Sequence, residues 1–217
     1  MSDHSLTIRE TDVGKGSNTR ELLIDATERI IREQGIMAVT TKDIAREAGF
    51  AEATLYRHFQ DKSDLLLAVM NERISGKFLQ VIRELPSRAG KGEVAAILEE
   101  LARVEISHFV RVMPLNVALS SDPHLQARHN AQLRELGGGP EASLKSVMAY
   151  IEAEQRLGRI RRDANPAAVS TLFNSTCFNY ARLRHVAGDD AVALSEAEFP
   201  HEIVRTLLEG LTPQSAT

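Results

Sequence analysis

The chain of 217 residues has no tryptophan, one cysteine and only three tyrosines. A lone cysteine, Cys177, excludes an intramolecular disulfide and any zinc site built from several thiolates. An excess of positive charge is also missing. Twenty-six Lys and Arg face 30 Asp and Glu, a formal net charge of −4, so bulk charge does not advertise a nucleic-acid partner. The longest uninterrupted apolar run, Leu65 to Met70, falls far short of the roughly 18 residues a membrane-spanning helix needs. No basic stretch followed by an apolar one reads as a signal peptide. These absences predict a soluble, cytoplasmic protein without membrane contact, metal or cofactor.

What is present is helical periodicity. Residues 1–17 mix charge, Gly and Ser without an apolar stripe and are expected to be a flexible N-terminal arm. Thr19 is placed to cap a first helix in which Leu22, Leu23, Ala26 and Ile30 recur at helical spacing, with Gly35 as its stop. A short helix follows from Lys42 to Ala48, capped by Thr40 or Thr41 and closed by Gly49 in a left-handed position. A second short helix, Glu52 to Phe59, comes two residues later. Asp61 caps what reads as one long helix ending before Pro86, about 35 Å at ~1.5 Å per residue. Further helices are expected from Glu93 to Met113, from about Pro123 to Leu136, around the stripe Leu144, Val147, Met148 and Ile151, and from Asn165-Pro166 to about His185. The last opens at Ser195-x-x-Glu198, a capping-box pattern. No strand and no internal repeat is evident, so the fold class is all-α.

The stretch Thr41 to Phe59 has the dimensions of a helix-turn-helix. Ala45 and Ala48 let two short helices cross closely, and Leu55 and Phe59 share a face that buries against Ile44. The opposite face carries Ala53, Thr54 and Arg57, flanked by Tyr56 and His58. It suits a major groove about 12 Å wide, with Tyr56, His58 and Lys62 free to reach phosphates. Spacing alone leaves open a plain helical hairpin whose aromatics are core.

Residues 18–64 resemble the DNA-binding domain of the TetR family of transcriptional regulators. The resemblance is carried by Arg20, "LLIDATERIIREQG", "TTKDIAREAGF" and "TLYRHFQDKSDLL". It implies an N-terminal three-helix DNA-binding domain (18–64, motif about 40–59) and a larger helical ligand-binding and dimerisation domain (65–217). It further implies base-facing roles for Glu52, Ala53 and Thr54, and phosphate contacts from Thr41, Tyr56, His58 and Lys62. Family members often carry Ser or Thr where this chain has Ala51, and Gly where it has Ala53, so the recognition helix must be capped in another way. Residues 18–64 hold seven Lys and Arg against nine Asp and Glu, so Lys42, Arg46, Arg57 and Lys62 must gather on the DNA side. The expected partners are double-stranded operator DNA and a small-molecule effector, with the chain acting as a homodimer.

In the C-terminal part, Glu105 and His108 fall within the apolar stripe of their helix. A buried carboxylate needs partners or water. A cavity with Phe109, Met113, Met148 and Phe173 as lining supplies them, and a mutually satisfied Glu–His pair is the alternative. The two E-x-x-H motifs, Glu105/His108 and Glu198/His201, raise a metal enzyme as a rival, weakened because Glu198 suits the capping box. Cys177 reads as core, and His124 and His129 as surface. Val169, Leu172, Thr176 and Tyr180 with Phe199, Ile203, Leu207 and Leu211 form the stripes expected to build a dimer interface.

Overall fold

The computed structural model describes residues 10–36, 39–120, 122–139 and 141–210; among these every regular element is helical. The chain divides into two compact units, Met1–Arg73 and Ile74–Thr217.

In the first unit α1 spans Glu10–Gln34, so it begins well before the expected cap at Thr19. No proline stands in this stretch to stop the helix from extending back from its buried stripe of Leu23, Ile24, Ala26 and Ile30. Residues 1–9 of the expected arm lie outside the described residues. Helix α2 (Thr41–Glu47) starts at Thr40, whose Oγ1 accepts from the Asp43 N–H at 3.1 Å. It stops at Gly49, where φ is +78° and the Phe50 N–H reaches back to the Ala45 carbonyl at 2.8 Å. Helix α3 (Glu52–His58) follows, and Leu55 and Phe59 bury against Ile44 and Ala45.

The expected single helix from Asp61 is segmented. Helix α4 (Lys62–Ala68) runs into a π-helical turn, Val69–Ile74, then α5 (Ser75–Glu84) and a 3-10 turn, Leu85–Arg88, that takes in Pro86. The π turn begins at the end of the apolar run Leu65 to Met70, whose unbroken character gives no period against which the extra residue would show. The turn carries two charges that grip α1. Both oxygens of Glu72 accept from Arg20, at 2.6 and 2.9 Å, and Arg73 donates to Asp25 at 2.9 Å and to Glu21.

In the second unit α6 (Val94–Ser120) and α9 (Pro166–Ala187) form the central pair, with α8 (Ala142–Arg156) on α9 and α10 (Phe199–Glu209) against α6. Helix α7 (Pro123–Glu135) packs on α6. The expected stop at Pro114 is overturned, since α6 runs through it to Ser120. Proline removes one helical hydrogen bond, but buried Val112, Met113 and Leu115 anchor both sides of the gap. Asn165 caps α9 by accepting from the Ala167 and Ala168 N–H groups at 3.0 and 3.1 Å. The Ser195–Glu198 capping box forms, with Ser195 N–H to Glu198 at 3.1 Å and Glu198 N–H to Ser195 Oγ at 3.3 Å, one turn ahead of α10.

Gly49→Ala is expected to destabilise the chain by about 1–2 kcal/mol, because a Cβ meets no neighbour there but the left-handed backbone is strained. Gly76→Ala, on the exposed side of α5, is expected to stabilise it by about 0.5–1 kcal/mol. Urea unfolding of the two variants measures both signs.

Candidate functional site

The α2–turn–α3 unit turns one face to solvent. Lys42, Arg46, Glu52, Ala53, Tyr56 and Arg57 are exposed, Tyr56 by 54%, while Thr41, Thr54, His58 and Lys62 are half-buried. Leu55 and Phe59 form the inner face, and the Arg20 guanidinium lies 5.3 Å from the Phe59 ring centre. Thus one side of α3 is fixed by packing and the other is free for a ligand of groove-like shape.

Ala51 makes no side-chain cap, and the Thr54 N–H bonds back to the Ala51 carbonyl at 2.9 Å. Glu52 takes over part of the missing hydroxyl's role. Its carboxylate sits in the first turn, where the helix dipole favours negative charge, and accepts from Thr41 Oγ1 at 2.5 Å. That bond ties the start of α2 to the start of α3, so two residues expected to touch DNA engage each other in the free protein. Arg46 is bonded to Asp43 at 2.6 Å, whereas Arg57 and Lys62 have no ion pair among the described residues. Lys62 opens α4, whose N-cap Asp61 accepts from the Asp64 N–H at 2.7 Å.

The candidate effector residues of the second unit separate into two clusters. Glu105 is fully buried and meets Ser143 Oγ of α8, Asn174 Nδ2 of α9 at 3.4 and 3.5 Å from its two oxygens, and the Cys177 thiol. Burial pushes its carboxyl up to about 7, against these neutral donors. Cys177 is buried, as its apolar neighbours suggest, in the same core cluster as Phe173, and Met113 is buried on α6. His108 does not pair with Glu105; its ring stacks on Phe78, and burial pushes it down to about 4. Phe109 stands beside His108, and Met148 is half-buried on α8. Ser143 and Asn174 escaped the sequence reading, although a small hydroxyl and an amide beside apolar stripes are a usable signal. His129, expected at the surface, is instead buried on α7 with 4% of its area exposed.

The E-x-x-H motifs do not converge. His201 Nδ1 lies 2.9 Å from Glu99, Glu198 is held by Ser195, and Glu105 by the donors above. No His/Cys/Asp/Glu group suited to a metal occurs among the described residues. Of the expected dimer stripe, Tyr180 and Phe199 stack on each other with ring centres 4.0 Å apart, and Tyr180 donates to the Leu194 carbonyl at 3.0 Å. Val169, Ile203 and Leu207 pack partly on the chain's own core, Thr176 is half-buried, and Leu172 is 60% exposed. Leu211 lies outside the described residues. Arg159 is no bare surface charge, pairing with buried Glu154 at 3.3 Å. No described helix is long and apolar enough to cross a membrane.

Residues 23–69 match the family model for bacterial regulatory proteins of the tetR family. The uncharacterized HTH-type transcriptional regulator YvkB of Bacillus subtilis is 34% identical over 197 residues, 89% of this chain and 97% of the relative. The fatty acid metabolism regulator protein of the same organism is 33% identical over 87 residues, and the match spans 42% of its length. In fold the chain is similar to the B. subtilis transcriptional regulator FadR solved with stearoyl-CoA, at TM-score 0.64 and 19% identity, covering 88% of this chain and 99% of that one.

Two opposed titrations follow from the buried core. Glu105 binds its proton more tightly folded than unfolded, so its contribution to stability is lost as pH rises from about 4.5 to 7. His108 binds its proton less tightly folded, so its contribution is lost as pH falls from about 6.5 to 4. The two largely offset each other in the parent chain. Glu105→Gln is expected to unmask the histidine, giving a stability that falls by on the order of 2–3 kcal/mol more than the parent's between pH 7 and 4.5. Urea unfolding across that range measures it, and parallel curves for the two proteins would refute the balance.

Proposed function

The chain belongs to the TetR family of transcriptional regulators, and from that premise we propose that it represses transcription from a pseudo-palindromic operator and releases it on binding a small molecule. The observation that carries the reading is the solvent-facing side of α3, held by Leu55 and Phe59 and continuous with Arg57 and Lys62, which have no ion pair among the described residues. We assign DNA reading to the Met1–Arg73 unit, and effector binding and dimerisation to Ile74–Thr217, in the cytoplasm where the operator is.

Within the interface, Glu52, Ala53 and Thr54 read base edges, and Thr41, Tyr56, His58 and Lys62 hold phosphates, with Lys42, Arg46 and Arg57 adding charge. Because residues 18–64 carry more acidic than basic side chains, affinity per half-site is modest and a dimer is needed. Support for the dimer comes from apolar side chains left exposed on α9 and α10: Leu172, Val186, which is 70% exposed, and Leu208. Leu172 and Val186 are fourteen residues apart, four helical turns, and so share one side of α9. The effector is assigned to the second unit, around His108, Phe109, Met113, Met148, Phe173 and Glu105. The stearoyl-CoA complex of FadR supports a ligand with an apolar chain. Such a ligand drives release only through unequal affinity for the two states, so operator DNA weakens its binding by the same factor.

Selection of sites from a random duplex pool by the purified protein tests the reading. An inverted repeat is expected to emerge; a pool without enrichment would sink it. Lys62→Ala is expected to weaken binding to all duplexes alike and to lower the salt slope by about one. Thr54→Ala is expected to change the selected sequence.

A further inference from the structure

Two imidazoles of the second unit each bury a ring nitrogen with no protein partner among the described residues: Nδ1 of His108 on α6 and Nδ1 of His129 on α7. Helices α6 and α7, which carry them, pack on each other. His108 also hydrogen-bonds the backbone of Ile74, an interaction that favours its protonated form, so the ring donates there. With Nδ1 unpartnered, the donor is Nε2–H, and Nδ1 presents a lone pair. Around it stands an aromatic wall. Phe78 stacks on His108 at 4.1 Å between centres, Phe109 is tilted beside it at 5.6 Å, and Phe178 meets Phe109 edge-on at 5.4 Å.

We propose that His108 and His129 form the polar end of the effector site and that it takes an uncharged, mainly apolar molecule bearing a hydroxyl group, an alcohol or a phenol. The inference rests on the effector reading above and adds the chemical class. A buried acceptor without a donor is unfavourable, a cost that a ligand donor removes. A hydroxyl both donates and accepts, so it can satisfy an unpartnered Nδ1 in either tautomer, as lone pair or as N–H. Burial of both nitrogens disfavours charged heads. The two imidazoles repel each other when protonated, and Arg111, which also opposes charge on His108, is exposed. Glu105, three residues before His108, is set by burial and neutral donors. A carboxylate thus finds no buried Lys or Arg among the described residues, and the aromatic wall suits an apolar body.

Calorimetric titration of the full-length protein with four probes tests this: 1-decanol, 4-hexylphenol, decanoate and methyl decyl ether. The alcohol or the phenol is expected to bind about tenfold or more tightly than the ether, which accepts but cannot donate, and than the carboxylate. His129→Leu is expected to lose about tenfold in affinity for the hydroxyl probe yet to melt at a higher temperature without it, since a buried unpaired nitrogen is removed. A merely structural histidine does not give that pair of changes. His108→Phe, which keeps the ring on Phe78, is expected to show the same loss of affinity. Tightest binding of decanoate with proton uptake, equal binding of alcohol and ether, no binding of either hydroxyl probe, or unchanged affinity in His129→Leu each overturns the proposal. Operator release measured over a wider set of small molecules decides the effector reading separately, so the two can fail independently.

Discussion

The second unit is organised by the need to satisfy one carboxyl in a dry place. Glu105 sits at the centre of α6, where an unpaired charge or an unpaired acceptor is prohibitively costly. Its donors come from two other helices, Ser143 at the start of α8 and Asn174 and Cys177 on successive turns of α9. Apolar packing alone tolerates small slides of one helix along another, whereas three donors converging on two oxygens do not. The polar knot therefore sets the register in which α6, α8 and α9 stack. It also explains why the carboxyl holds its proton near neutrality: burial outweighs donors that carry no charge.

The first unit uses charge differently. Arg20, Glu21 and Asp25 on α1 face Glu72 and Arg73 in the π-helical turn, at partly exposed positions where each pair contributes little alone. Together they form a network of two guanidinium groups and three carboxylates that spends much of the unit's charge on internal geometry. Among the described residues, that leaves Lys42, Arg57 and Lys62 as cations of the helix-turn-helix region without ion pairs. Thr41 and Glu52 add a further constraint, because their mutual hydrogen bond must compete with any contact either makes to DNA.

Much of this was legible in the chain. Thr40, Gly49, Asp61, Asn165 and the Ser195–Glu198 pair mark helix ends by hydrogen bonds that are local in sequence, and each forms. What escaped depends on distant partners. Glu72 and Arg73 of the π turn find their partners on α1, Pro114 is carried by burial on both sides, and His129 is buried on α7, which packs on α6. Ala51 looked like a defect because the compensating bond comes from Thr41, ten residues earlier. Tyr180 and Phe199 each read as interface residues, but their stacking on each other appears only when α9 and α10 are set side by side. At the candidate effector site, type and spacing found Glu105 and His108 but paired them with each other, when the helices give them separate neighbours.

The lone cysteine lends the core a built-in clock. Cys177 is wholly buried against Glu105, with its thiol pushed well above the ordinary range and therefore unreactive while the bundle is closed. A thiol reagent reaches it only when α6 and α9 part, so its labelling rate reports the opening of the central helix pair, without any introduced probe and with no second thiol to confuse the signal. The residue whose scarcity ruled out disulfides and thiolate metal sites thus makes the breathing of the unit directly observable.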